Sequence, residues 1–357
     1  MTESVKNIES LSLFFTAGVA LGTVLVTVSP GFLLPFLALP FFLQRKMLRW
    51  PQELSVSLLL ATFLLLGIFC ARSAALPVAD EPTFVETLAA GAVERLRAVI
   101  GQIPFPTEGT APLLNALLTG DRSGLSADTV AIFRSSGASH ILALSGLHMG
   151  ILYLLFDTLT KGLGNAPAAR VVRYVLILGA ALFFTLMTGA GPSIVRAFLF
   201  IGLNETLRLL NRPRKGTRVF CVALLIQLAL DPGVIGSTGF QLSYLAMAGI
   251  FLLYPVLEKW YPEGSRYNPL RWMWNSAALA LSCQAFTAPL AWLRFHTFPK
   301  FFLLTNLLAL PLTSALMGTA VATVVLSAAH LCPLFLIKTT DGLGRLLLWV
   351  LGIISSM

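Results

Sequence analysis

Long apolar runs, separated by short polar or basic segments, dominate the pattern of hydrophobic and polar residues along the chain. Many of these runs approach the length of about 20 residues that an α-helix needs to cross a lipid bilayer. We therefore expect an all-α polytopic integral membrane helix bundle with about 10–11 spans. The runs lie at residues 11–28, 31–43, 54–72, 141–160, 171–188, 193–209, 219–231, 239–257, 272–292, 301–329 and 332–356.

Some of these runs do not fit a single straight span. Residues 31–43 and 219–231 are short for a crossing, and the second of them is a candidate for a re-entrant helix. Residues 301–329 are too long for one crossing, and Pro311 predicts a kink or a break because proline has no backbone N–H. The bundle is thus expected to contain broken or re-entrant helices.

Residues 73–110 have a different character, because charged residues and prolines precede a helical period. The period places one apolar stripe on a predicted helix and puts Glu86, Glu94 and Arg97 on its other side. Such a pattern is typical of an amphipathic helix that lies in the membrane interface, although a helix packed on other protein remains the alternative. The stripe consists of Val85, Leu88, Ala92, Leu96, Val99 and Ile103.

Two basic clusters predict the topology. Arg45, Lys46 and Arg49 form one cluster, and residues 208–218 contain the other. Basic loops stay in the cytoplasm, so residues 73–140 and 189–193 are expected outside. The chain then divides into an N-terminal transmembrane module (1–72), an extracytoplasmic amphipathic linker (73–110) and a third domain (111–357).

Composition supports the membrane class independently. Hydrophobic residues make up 56% of the chain and charged residues only 11%, whereas soluble domains carry about 25% charged residues. The mean hydropathy is +0.82. The net charge of +9 suits contact with a polyanion or with an anionic lipid surface.

Neither metal nor cofactor chemistry is indicated. The four cysteines stand alone, mostly within apolar runs, and are expected to be buried thiols. His140 and His148 are eight residues apart, about 12 Å along a continuous helix, which is too far for one shared ion. We therefore expect no cofactor and no metal.

The stretch from residue 116 to residue 150 is where polar, charged and glycine residues gather between apolar runs. The segment from Gly120 to Gly124 predicts a turn, in which Asp121 bonds its own backbone. Ser126 is a predicted N-cap, and Gly137 is a predicted helix end.

Polar residues also enter the apolar runs, where they are costly unless they face a partner or a water-filled cavity. Ser145 and His148 share a face of a continuous helix, but Gly146 also permits a break or a close helix neighbour. A pore-lining role and a purely structural Ser–Gly contact both stay open. Arg196 either contacts an anion or extends to the outer surface, and Gln241 and Ser243 are expected to face the interior.

These segments resemble the ComEC family of competence proteins. The resemblance rests on GDRSGL at residues 120–125, SGLHMG at 145–150, GPSIVRA at 191–197 and GFQLSYLA at 239–246, and it spans roughly residues 85–310. It implies a polytopic membrane domain that passes single-stranded DNA inward across the cytoplasmic membrane during natural transformation.

Under this resemblance the chain is a channel core and not an enzyme. The channel or DNA-contacting residues that we predict are Asp121, Arg122, Ser145, Gly146, His148, Arg196, Gln241 and Ser243. Membrane lipid is the other expected partner. Relatives often add an oligonucleotide-binding-like and a metallo-β-lactamase-like domain, whose sequence signals are absent here. A separate nuclease, a DNA receptor and a cytoplasmic motor are therefore expected, the last because no phosphate-binding loop motif occurs.

The alternative to a channel is a protein of a different functional class, an enzyme. Ser145 and a histidine would act as nucleophile and base of an intramembrane serine peptidase. A small-solute transporter is the third possibility, but no relay of intramembrane carboxylates favours it.

Overall fold

The computed structural model describes residues 3–25, 37, 52–74, 84–164, 166–261, 269–296 and 300–357. All regular secondary structure in these ranges is helical, which confirms the all-α prediction. The helix expected at 31–43 and the basic loop after it lie, apart from residue 37, outside the described residues.

The helices follow the apolar runs closely, with boundaries a few residues from those expected. Two 3-10 turns, Lys161–Leu163 and Pro232–Gly236, lie between them. The α-helices are α1 (Glu3–Val24), α2 (Gln52–Ala74), α3 (Phe84–Gln102), α4 (Thr110–Thr119), α5 (Ala127–Ser135), α6 (Ser139–Leu142), α7 (Gly146–Thr160), α8 (Pro167–Met187), α9 (Pro192–Leu209), α10 (Gly216–Leu230), α11 (Thr238–Leu252), α12 (Tyr254–Glu258), α13 (Pro269–Phe295), α14 (Phe302–Ala328) and α15 (Leu334–Ser355).

Four described segments are long and apolar enough to cross a membrane: α8, the α11–α12 segment, α13 and α14. The chain is thus a multi-pass membrane protein. Apolar helices such as α10 are shorter, as its sequence predicted, so the count of about 10–11 crossings stays a prediction. The α14 helix continues through Pro311, so of the kink or break expected there the break does not occur.

One compact unit combines Met1–Glu81 with Leu199–Gln241. Within it α1 and α2 are in close contact, because Gly18 faces the backbone of Leu64 and Gly67 faces the backbone of Phe15. Small residues allow such close helix packing in membranes. The predicted N-terminal module of residues 1–72 is therefore completed by a later part of the chain.

The second unit combines Pro82–Phe198 with Leu242–Met357. Its core brings the short helices α4, α5 and α6 together with α14 and α15. Leu113, Phe133 and Ile141 from the short helices are almost completely buried. The apolar residues of the motif stretch are therefore buried in a helix bundle, whereas the turn at Arg122, Ser123 and Gly124 is exposed.

Two polar contacts show which levels along α14 are reached by the segment from Thr110 to Ser136. Thr305 Oγ1 donates to the backbone oxygen of Ser136 at 2.6 Å. Thr323, 18 residues further along α14, bonds Thr340, whose neighbour Asp341 accepts a hydrogen bond from Thr110. At 1.5 Å per residue these levels are about 27 Å apart, close to the thickness of the hydrocarbon layer. Thr110 and Ser136 thus contact α14 or its neighbour at different levels, and the side of the membrane on which residues 73–140 lie stays a prediction.

The amphipathic helix α3 packs partly on protein, which was one of the alternatives left by its sequence. Leu88, near its start, is 58% exposed, whereas Ile100 and Ile103 near its end are buried in the core of the second unit. The end of the helix is therefore packed on protein through its apolar stripe, and contact of the helix with the membrane interface stays a prediction.

Candidate functional site

The turn after α4 forms as its sequence predicts. Gly120 ends the helix with a φ of 80°, in the left-handed region that glycine tolerates. Asp121 Oδ1 accepts the Ser123 N–H at 3.0 Å, and Asp121 Oδ2 lies 3.3 Å from Arg97 Nε. Hydrogen bonds from Ser123, followed by the charge of Arg97, lower the pKa of the Asp121 carboxyl from its ordinary value.

Arg122 has a partner that the sequence did not reveal. Its Nε and Nη2 atoms donate to the backbone oxygen of Leu142 at 3.2 and 2.9 Å. Leu142 is the last residue of α6, so its carbonyl lacks a partner within that helix. Arg122 thus stabilises the end of α6. The carboxylate of Asp121 contacts Arg97 and not Arg122.

The helix expected at 141–160 is broken between α6 and α7. Ala143 and Ser145 have extended backbone conformations, and Ser145 is the N-cap of α7. Ser145 Oγ accepts the Leu147 N–H at 3.3 Å, and His148 Nδ1 accepts the Ser145 N–H at 3.3 Å. This reciprocal pair is a capping box with histidine in the place usually taken by glutamate or glutamine.

Arg196 on α9 lies against the start of α7. Its Nη2 atom is 2.9 Å from the position that a Cβ atom would take on Gly146, and its Nε donates to Ser243 Oγ at 2.6 Å. Both possibilities that the sequence raised for Gly146 are therefore realised: the helix is broken before it, and Arg196 lies close to it. Ser243, predicted to face the interior, holds the guanidinium in place.

These contacts bring two positive groups together. The backbone N–H of Gly146 has no hydrogen-bond partner among the described residues. It belongs to the start of α7, where the helix dipole is positive. The guanidinium of Arg196 approaches the same residue, so an anion placed there would be attracted by both groups.

His148 lies two residues after Gly146 on α7. Its Nδ1 accepts a backbone N–H, so its Nε2 carries the proton of the neutral ring. The side chain is 1% exposed, and this Nε2 has no hydrogen-bond partner among the described residues. Among the described residues no group of three or more His, Cys, Asp or Glu residues could hold a metal ion.

Gln241 does not join this arrangement. Its Nε2 donates to the backbone oxygen of Ile235 at 2.8 Å and so closes the turn before α11. Gln241 belongs to the first compact unit, whereas the other predicted site residues belong to the second. Its predicted role in the channel stays a prediction.

Asp341 is a polar residue of the second unit that sequence reasoning missed. Its carboxylate accepts hydrogen bonds from the Thr107 N–H at 3.1 Å, from Thr107 Oγ1 at 3.0 Å and from Thr110 Oγ1 at 2.6 Å. It is 3% exposed. An acidic residue in an apolar helix is itself a signal that a partner exists, but the identity of that partner is not readable from the local sequence.

The fold and this site define a class: a multi-pass α-helical membrane protein whose bundle contains a broken helix with an arginine at its positive end. The family model described as Competence protein matches residues 117–357, which is more than half of the chain. The chain belongs to this family, and the resemblance to ComEC proteins is confirmed.

Several curated relatives carry names from the same field. ComE operon protein 3 of Bacillus subtilis (strain 168) is 25% identical over 225 residues, which are 62% of this chain and 27% of that protein. Recombination protein 2 of Haemophilus influenzae is 27% identical over 237 residues, 63% of this chain and 30% of the relative. Competence protein ComA of Neisseria gonorrhoeae is 29% identical over 174 residues, 47% of this chain and 25% of the relative. The aligned part thus covers less than a third of each relative, and no solved structure matches the chain.

Proposed function

We propose that this protein conducts single-stranded DNA across the cytoplasmic (inner) membrane during natural transformation, as the core of a channel. One observation carries the proposal: the free N–H end of α7 at Gly146 and the guanidinium of Arg196 meet inside the bundle. Membership in the Competence protein family supports a role in DNA uptake.

The chemistry of DNA explains why this meeting point matters. Each nucleotide brings one negative charge into a bundle that is otherwise largely apolar. A guanidinium group is always charged and grips phosphate oxygens with two parallel N–H groups. The positive end of α7 adds backbone attraction to the same anion. For a phosphate that passes Gly146, hydrogen bonds from these two groups would therefore take the place of the hydrating water that it loses on entering the bundle.

Other components complete the process in this proposal. The sequence contains no phosphate-binding loop motif, so a separate cytoplasmic motor supplies the energy. A DNA receptor delivers the strand, a separate nuclease degrades its complement, and membrane lipid surrounds the bundle. The chain itself catalyses no reaction.

Substitution of Arg196 tests the proposal. Arg196→Lys keeps the charge but loses the two parallel N–H groups of the guanidinium, whereas Arg196→Gln loses both the charge and these groups. A hydrogen bond to a charged group is worth about 1.5–3 kcal/mol, so we expect Arg196→Gln to lower passage about 10- to 100-fold. Arg196→Lys should have a smaller effect.

Passage is measured as protection of a labelled single-stranded oligonucleotide from external nuclease in proteoliposomes, alongside transformation frequency in cells. Arg95→Gln is the control, because Arg95 is an exposed arginine on a different helix, α3. Wild-type passage by a well-expressed Arg196→Gln protein would contradict the proposal.

One contact favours the peptidase alternative enough to test it. Ser145 Oγ lies 3.2 Å from His148 Nδ1, the distance of a nucleophile and its base. The capping box explains the same contact without catalysis, since asparagine caps a helix as well as serine does. We expect Ser145→Asn to keep passage and stability, whereas Ser145→Ala loses about 1 kcal/mol of stability. Equal loss of function in both variants, at normal protein levels, would support the peptidase.

A further inference from the structure

One face of α15 carries an unusual exposed row of side chains. Phe335, Lys338, Gly342, Arg345 and Trp349 follow each other at spacings of three and four residues, so they share one face of the helix. All five are exposed, Phe335 by 70% and Trp349 by 63%. We call this row the α15 stripe. The opposite face of α15 packs into the core of its unit.

The two cations of the α15 stripe have no acidic partner among the described residues. Asp341 lies three residues after Lys338 and four before Arg345, a spacing suited to ion pairs on a helix. Its carboxylate is instead turned inward and accepts hydrogen bonds from the hydroxyls of Thr107 and Thr110. Two positive charges therefore remain free on an exposed face.

Contact with a lipid headgroup is the simplest alternative for these two cations. Arg345 lies 11 residues after the first residue of α15 and 10 before the last, which places it about 15 Å from either end of the helix. Lys338, near the start, lies where a headgroup is most easily reached, whereas Arg345 lies in the middle of the helix. Were α15 to cross the membrane, a free arginine at its middle would need a water-filled path or an anionic partner.

We propose that the α15 stripe is a contact track for single-stranded DNA, in which Lys338 and Arg345 contact phosphates while Phe335 and Trp349 stack on bases. Proteins that hold single strands without sequence preference combine cations with aromatic platforms in this way. Gly342, in the middle of the row, leaves room for the strand. The inference rests on the proposed function and extends it to a second surface of the same unit.

A second copy of the chain is a poorer occupant of the stripe. A symmetric pair that met through this face would bring Lys338 and Arg345 against the same cations of the other copy. Charge complementarity therefore favours a polyanion over self-association.

Salt dependence of DNA binding tests the inference. The full chain in phosphatidylcholine nanodiscs is titrated with a fluorescent oligothymidine at several salt concentrations. Each lost phosphate contact lowers the slope of log K against log salt by about 0.7 for single strands. We expect a loss of about 1.4 for the double variant Lys338→Gln/Arg345→Gln. The charge-conserving pair Lys338→Arg/Arg345→Lys should keep the wild-type slope, which controls for misfolding.

The aromatic residues are tested in the same way, with a different expected result. Trp349→Ala and Phe335→Ala should weaken binding without changing the slope, because stacking releases no counterions. Matched controls lie on α13, where Trp292 is 57% exposed and Arg294 is exposed. Trp292→Ala and Arg294→Gln should bind as the wild type does.

The results separate this inference from the proposed function. An unchanged slope in Lys338→Gln/Arg345→Gln overturns the track, and so does an equal effect of the α13 controls. If the slope is unchanged and the double variant has also lost thermal stabilisation by phosphatidylglycerol, the stripe binds lipid instead. If the wild type neither binds nor passes the oligonucleotide, the proposed function fails and the track fails with it. DNA passage that depends on Arg196 but not on the stripe leaves the proposed function standing.

Discussion

Replacement of Gly146 by alanine separates the stability of the bundle from its ability to conduct. Gly146 is the first residue of α7, and its φ is not in the left-handed region, so alanine fits its backbone. The added Cβ would nevertheless lie 2.9 Å from Arg196 Nη2, closer than ordinary van der Waals contact. The guanidinium must therefore move.

The size of the effect follows from what holds the guanidinium. Arg196 Nε donates to Ser243 Oγ at 2.6 Å, so the group cannot retreat without straining this bond. A hydrogen bond to a charged group contributes about 1.5–3 kcal/mol, which corresponds to a loss of about 10- to 100-fold in passage. In the opposite direction, alanine in place of glycine stabilises a helix by up to about 1 kcal/mol.

We expect Gly146→Ala to melt at or above the wild-type temperature in detergent while it conducts single-stranded DNA poorly. Gly150→Ala is the matched control, because it lies one turn further along α7 and its added Cβ meets nothing within 4 Å. It should gain the same stability and keep wild-type passage. The comparison uses nuclease protection in proteoliposomes, with equal amounts of reconstituted protein.

Two results would refute this reasoning. Wild-type passage by Gly146→Ala would show that the position of the guanidinium is unimportant. Equal impairment of Gly146→Ala and Gly150→Ala would show that α7 needs glycine for flexibility and not for the close approach of Arg196.

Two further predictions concern the motif turn. Arg122→Gln removes the donors to the Leu142 carbonyl, so we expect a loss of about 1–3 kcal/mol of stability, measured by thermal unfolding in detergent; an unchanged melting temperature would contradict the capping role of Arg122. Asp121→Asn tests the lowered pKa of the Asp121 carboxyl. A lowered pKa stabilises the fold at pH values above the ordinary pKa of about 3.9, and this contribution disappears as the pH falls through the lower pKa of the folded state. The difference in melting temperature between wild type and Asp121→Asn should therefore be constant near neutral pH and vanish well below that value, and a difference independent of pH would count against it.

Local features of the motif stretch were predictable because their causes are local. Asp121 bonds the backbone two residues later, and Ser126 accepts the Thr129 N–H, as their side chains favour in turns and caps. Gly137 follows α5 with a φ of 78° and stops the helix. Each of these results depends on residues within a few positions of one another.

Long-range features were not predictable from the chain alone. Periodicity shows which face of a helix is apolar, but lipid and protein cover such a face equally well. The sequence therefore did not show that Leu113 and Phe133 are buried in a protein core and not covered by lipid. The partner of Arg122 is a backbone carbonyl, and every residue has one. The alternation of aromatic and basic residues in α15 was visible, but its exposure was not.

The carboxylate of Asp341 has a consequence for the assembly of the protein in the membrane. Its partners Thr107 and Thr110 precede it by 234 and 231 residues. During synthesis of the chain, these two hydroxyls can donate to Asp341 only after α15 has been inserted. The segment that leads into the motif stretch therefore acquires its final hydrogen bonds late. A ribosome-bound chain that lacks α15 would expose this segment to proteases even after its preceding helices have entered the bilayer.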